Sequence, residues 1–234
     1  MIKDILKDGF SGLGLSADET ALQGYEVFYK HLVERNKVMN LTAITGEDET
    51  ARLHFLDCAA LLLAADFKDA RVIDVGTGAG FPGIPLRISE PDMELTLLDS
   101  LGKRVDFLKE CCSLLGFDNI ACIHARAEEA PAEFRESFDI AVSRAVAKLS
   151  ILCELCIPFV RVGGMFIAMK GPDPADEIQE AESAISLLGC EFSGVFKYRV
   201  PGTDIAHTAV LVKKVKNTPE KYPRRFAKIQ KNPL

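Results

Sequence analysis

The sequence predicts an α/β protein: a mostly parallel sheet with helices on both faces, a helical extension ahead of it and an antiparallel hairpin at its end. Three observations carry this reading. From residue 71 onward, short apolar and β-branched runs alternate with helical segments, and strands separated by helices pair in parallel. The last two runs, 191–199 and 207–215, have only a turn at Pro201-Gly202 between them, so they pair antiparallel. Ahead of residue 70, apolar residues recur at helical period.

In the extension, 1–69, Ser16-x-x-Glu19 has the spacing of a capping box. The helix it opens covers 21–38 and carries a stripe of Leu22, Tyr25, Phe28, Tyr29, Leu32 and Val33. A second helix follows Thr45, with Leu53, Leu56, Ala60 and Leu63 on one face. The core, 70–216, places strands at 71–75, 94–98, 119–123, 138–142 and 165–169, with helices beginning near Pro82, Leu101, Ala127, Lys148 and Asp173. A basic tail, 217–234, completes the chain.

With 234 residues, 48% hydrophobic and 26% charged, there is room for one α/β domain with a sizeable core. The longest apolar stretch, 58–65, is far short of the roughly 20 residues that cross a bilayer. MIKDILKDGF has no signal-peptide core, so a cytoplasmic location and no membrane partner are expected. Seven cysteines, an odd number spread over predicted helices, do not form a disulfide framework. Cys153-x-x-Cys156 lacks a second ligand pair and reads as helix packing, so no metal site is expected. The net charge of −6 excludes a protein that coats nucleic acid at random. Lys213, Lys214, Lys216, Lys221, Arg224, Arg225, Lys228 and Lys231 stand against Glu220 alone, a basic strip suited to one directed polyanion contact.

The chemistry concentrates in RVIDVGTGAGFPG, 71–83. A buried strand runs into Gly76, Gly78 and Gly80, which let backbone approach a ligand, and a helix with free N–H groups follows. The next strand delivers Asp99 about 20 residues on, where such sheets place a carboxylate on ribose hydroxyls. Residues 78–83 also satisfy G-x-G-x-x-G, so a nicotinamide-dependent oxidoreductase stays open. Asp74 and Phe81-Pro82 favour S-adenosylmethionine instead: a carboxylate beside the turn meets the ammonium of its amino-acid tail and repels a pyrophosphate. At the third strand's end, the Ala127 N–H and the Glu128 carboxylate are placed to read an adenine edge, and Glu129 is solvated. Arg144, after the fourth strand, sits over the pocket mouth.

Taken together, NLTAI (40–44), His54-x-x-Asp57, DVGTGAGFPGIPL (74–86), LLDS-x-x-KR (97–104), AEE (127–129), SRA (143–145), Lys170-Gly171 and YPRR (222–225) resemble the bacterial glucose-inhibited division protein B family, whose members are 16S ribosomal RNA guanine-N7 methyltransferases. The resemblance runs from about residue 36 to the C-terminus. It implies a class I, Rossmann-like methyltransferase fold and S-adenosylmethionine as cofactor, held by Gly76, Phe81, Ala127, Glu128 and Arg144, with Asp99 on the ribose; the glycine turn itself adds Gly78 as a cofactor-binding candidate. It also implies 16S ribosomal RNA or the small ribosomal subunit as partner, with Lys103, Arg104, Lys170, Arg224 and Arg225 as candidate phosphate contacts. Two positions depart from the pattern: Cys58 replaces serine after Asp57, and Ala227 replaces glycine after YPRR. Guanine N7 carries its own lone pair, so no general base is assigned, and His54, hydrogen-bonded to Asp57, reads as structural. A noncatalytic RNA-binding assembly factor on the same scaffold is the remaining alternative.

Overall fold

The computed structural model describes residues 1–144 and 147–234. Its strands are β1 (Arg71–Val75), β2 (Glu94–Asp99), β3 (Ile120–His124), β4 (Phe138–Ser143), β5 (Val160–Lys170), β6 (Cys190–Arg199) and β7 (Ala206–Lys214). They form one sheet in the order β3-β2-β1-β4-β5-β7-β6. The first five pair in parallel, and β7 runs antiparallel to both β5 and β6. This is the predicted α/β architecture, and the strand order reverses between β1 and β4, where ligands bind in open sheets.

The central strands are apolar at successive positions because both faces are covered. On one face Val72, Leu95, Leu97, Ile140, Val142 and Ile167 pack with the extension, α5 (Gly83–Ser89) and α6 (Gly102–Leu114). On the other, Ile73, Val75, Leu98, Ala141, Phe166 and Ala168 pack with α7 (Leu149–Cys156) and α8 (Ala175–Leu187). The alternation follows from the two-residue period of a strand. Cys153 and Cys156 are fully buried in the second core, as expected of packing residues.

The extension comprises α1 (Ile2–Gly12), α2 (Glu19–Met39) and a continuous helical stretch from Glu47 to Leu63 that includes α3 (Glu47–Thr50) and α4 (Asp57–Ala59). It buttresses the glycine turn: Phe28 and Phe55 lie 5.4 and 6.2 Å from the Phe81 ring, and the Tyr25 hydroxyl donates to Pro85 O at 2.9 Å. Several local expectations are corrected. Asp18, not Ser16, caps α2, its carboxylate accepting from the Ala21 N–H at 2.7 Å. Residues Ala51–Leu56 form a π-helical segment whose wider turns shift the apolar face, leaving Leu63 45% exposed. In place of an α-helix between β3 and β4 stand two short 3₁₀ helices, Ala127–Glu129 and Ala132–Phe134, with Pro131 between them.

The basic tail folds back onto the body: Thr218, Tyr222 and Ile229 are buried, and residues Phe226–Lys231 form α9. Two cations of the basic strip belong to β7, and Lys214 is buried with its ammonium 3.2 Å from Glu136. The exposed charge of the strip is smaller than its sequence suggests.

Candidate cofactor site

The turn after β1 is built by carboxylates. Asp99, at the tip of β2, accepts from the Gly78 N–H at 2.9 Å through one oxygen and from the Leu101 N–H at 2.9 Å through the other. Arg104 sits 3.6 Å from the same carboxylate. A carboxylate has about four acceptor positions, so both Asp99 oxygens keep capacity for a ligand hydroxyl. Gly80, at φ +94°, accommodates the turn where an added Cβ would lie 2.4 Å from Ile84.

Asp74 plays a different part from the one expected of it. It is fully buried, accepting from the Thr77 hydroxyl at 2.6 Å and the Gly83 N–H at 2.8 Å through one oxygen, while the other has no partner. Burial pushes its carboxyl up to about 7, against the pull of those hydrogen bonds. It locks the turn to the start of α5 and does not face a ligand. The first N–H of that helix is therefore occupied, contrary to the expectation that its N–H groups are free.

Beside the turn lies a largely apolar cleft of about 250 Å³. Of the seven expected cofactor residues, Gly76, Asp99, Ala127 and Glu128 line it, together with Ile151, Leu152, Leu155 and Phe226. Gly78 stands behind Asp99 through its hydrogen bond. Phe81 and Arg144 do not line this cleft; they form a second cluster.

In that cluster the Arg144 guanidinium lies 4.5 Å from the Phe81 ring centroid, on whose ring His54 packs at 4.5 Å. Arg144 also sits 3.5 Å from Asp57 and 3.4 Å from the Leu53 carbonyl. Asp57 is buried and accepts from the Tyr198 hydroxyl and from His207 Nδ1, each at 2.7 Å. The hydrogen bond to Asp57 raises the His207 pKa above its ordinary value. His54 is not bonded to Asp57: its Nε2 meets the Thr42 hydroxyl at 2.8 Å, and burial, then the Arg144 charge, push its pKa down to about 4. Sequence reasoning missed Tyr198 and His207, which carry no motif; they become neighbours because Tyr198 pairs with His207 across the hairpin. Ala145 of the SRA motif lies outside the described residues.

The candidate phosphate contacts divide in the same way. Lys103 and Arg225 are exposed. Arg104 is half-exposed beside Asp99. Lys170 is engaged inside the protein, donating to the Ala147 carbonyl at 2.6 Å and to Glu177 at 2.7 Å. Arg224 forms a two-pronged pair with Glu154, at 2.8 and 2.6 Å, whose carboxylate is wholly buried. Both cations are paired within the protein, Lys170 with partly exposed Glu177 and Arg224 with buried Glu154, so a phosphate would have to compete with a carboxylate at each.

Compared with known proteins, residues 21–203 match the model of the GidB family, described as rRNA small subunit methyltransferase G. The chain belongs to this family. The ribosomal RNA small subunit methyltransferase G of Clostridium perfringens strain 13 is 45% identical over 234 residues, covering 99% of this chain and 98% of the relative. That of Alkaliphilus metalliredigens is 46% identical over 235 residues, with the same coverage. Among solved structures, likeness is limited to the fold: M. jannaschii TYW2 in complex with AdoMet superposes with a TM-score of 0.55 at 13% identity, over 68% of this chain and 75% of that one. The mitomycin 7-O-methyltransferase MmcR gives 0.58 at 13% identity, over 80% and 60%. The fold of this GidB family member is thus that of class I, Rossmann-like methyltransferases.

Proposed function

We propose that this GidB family member transfers a methyl group from S-adenosylmethionine to N7 of a guanine in 16S ribosomal RNA. The observation that carries the cofactor is the cleft itself: an apolar slot for a purine, bounded by the Asp99 and Glu128 carboxylates at the ends of β2 and β3. Asp99 retains acceptor capacity for ribose hydroxyls, and Glu128 for an exocyclic amine. A dinucleotide fits this site less well, because the N–H that would meet a pyrophosphate is already given to Asp74. The target nucleic acid follows from the family, whose relatives are named for small-subunit ribosomal RNA.

When bound, S-adenosylmethionine would supply a methyl group activated on a sulfonium, whose sulfur keeps the bonding pair as a neutral thioether. The protein's own residues have little proton chemistry to perform. A guanine N7 lone pair needs no base, and His54, held neutral and fixed on Thr42, is not arranged as one. Rate acceleration therefore comes from positioning. Glycine-turn backbone and Asp99 fix one partner, while the Arg144, Phe81 and His54 stack stands beside them as a cationic, aromatic surface for a base or phosphate.

Isothermal titration with S-adenosylhomocysteine and with NAD separates the cofactor readings. Tight binding of the first, none of the second, and a loss of about tenfold in Asp99→Ala are expected, the size of one or two charge-assisted hydrogen bonds. Methyl transfer to unmodified 16S ribosomal RNA, mapped as N7-methylguanosine, tests the reaction; a protein that binds this RNA without methylating it is an assembly factor.

A further inference from the structure

The C-terminal tail lies outside the segment matched by the family model, yet it reaches the cofactor cleft. We infer that Phe226 is a cofactor-binding residue, the outer wall of the cleft, and that cofactor and RNA strengthen each other's binding through the tail that carries it. This rests on the proposed function. Phe226 is the one aromatic residue lining the cleft among the described residues, in company with apolar Ile151, Leu152 and Leu155. An aromatic ring in an apolar slot beside carboxylates is a stacking surface for a purine. Its backbone N–H donates to Glu128 at 3.3 Å, so the carboxylate that faces the cleft also holds the tail.

The tail is pinned on both sides of this contact. Upstream, Arg135 donates to the Thr218 and Tyr222 carbonyls at 2.6 and 2.8 Å, and Arg224 is paired with buried Glu154. Downstream, Ile229 is buried. Between the pins, exposed Arg225, the N-cap residue, and exposed Lys228 stand on either side of Phe226 in sequence, at the start of a helix of six residues too short to hold its own shape. A purine stacked on Phe226 fixes the same backbone that presents these two cations. Whatever the cofactor contributes to ordering the tail need not be supplied again by the RNA, and linkage makes the gain reciprocal.

The test is calorimetric titration of S-adenosylhomocysteine into wild type, Phe226→Ala, Phe226→Leu and Phe226→Tyr, with filter binding of unmodified 16S ribosomal RNA with and without that ligand. Phe226→Ala is expected to bind the ligand about tenfold more weakly, Phe226→Leu to fall between, and Phe226→Tyr to match wild type, on the scale of one aromatic stack. Saturating ligand is expected to tighten wild-type RNA binding about fivefold and to leave Phe226→Ala unchanged. Phe226→Leu preserves apolar volume, so its loss of affinity cannot be ascribed to unfolding. Ala and Leu variants that bind the ligand as tightly as wild type overturn the wall, and RNA affinity indifferent to ligand in wild type overturns the coupling. A wild-type protein that fails to bind S-adenosylhomocysteine overturns the functional reading itself, and is told apart by that single titration.

Discussion

At the scale of single residues, several buried charges in this protein are met by an internal partner. Glu154 is wholly buried on α7 and is made tolerable by Arg224, whose guanidinium and backbone N–H both meet it. Removing Arg224 leaves an unpaired buried carboxylate, so Arg224→Ala is expected to lose about 3 kcal/mol in chemical denaturation. Exposed Arg225, one residue on, is expected to cost almost nothing in the same assay. Equal losses at the two positions would contradict this division of labour. His207 supplies a pH signature. Its folded pKa is raised by the Asp57 hydrogen bond, so its contribution is complete below the unfolded value near 6.5 and disappears as pH climbs through the folded value. The stability advantage of wild type over His207→Gln should therefore be larger at pH 6 than at pH 9. Neither pairing announces itself in the sequence, since the partners lie 70 and 150 positions apart.

At the scale of elements, the β1 turn is a joint between two strands and a helix, fastened by Asp74 and Asp99. Asp74→Ala strips the acceptor from the Gly83 N–H and the Thr77 hydroxyl, with an expected loss of about 3 kcal/mol. Asp74→Asn keeps an acceptor for both and should cost clearly less; urea unfolding of the pair decides, and equal losses would count against the joint. The raised Asp74 pKa also fixes a sign. The folded state holds this proton up to about 7 while the unfolded carboxyl loses it near 3.8, so wild type gains on Asp74→Asn as pH falls from 8 to 5. The glycines and Asp99 were legible because a turn is a local event, readable from residues a few positions apart. The capping of α2, the π-helical segment and the 3₁₀ turns after β3 were not, since each is settled by packing of the extension or by competing local bonds.

At the scale of the whole molecule, a chain of net charge −6 meets a polyanion through clustered cations, and exposed Arg225, at the N-cap of α9, and Lys228 within it form one such cluster. Arg225→Ala combined with Lys228→Ala is expected to lower the slope of log affinity against log salt for 16S ribosomal RNA by about 1.5, close to two phosphate contacts. An unchanged slope would place the RNA elsewhere. No helix among the described residues is long and apolar enough to cross a membrane. The sequence by itself determined the alternation of strands and helices, the antiparallel end, the glycine turn and the Asp99 carboxylate, because periodicity and turn chemistry act over short stretches of chain. Tertiary structure alone decided which charges are free. Asp57 meets Tyr198 and His207 across the hairpin, Arg224 disappears into Glu154, and Phe226 arrives at the cleft, because each contact joins segments that only the closed sheet brings together.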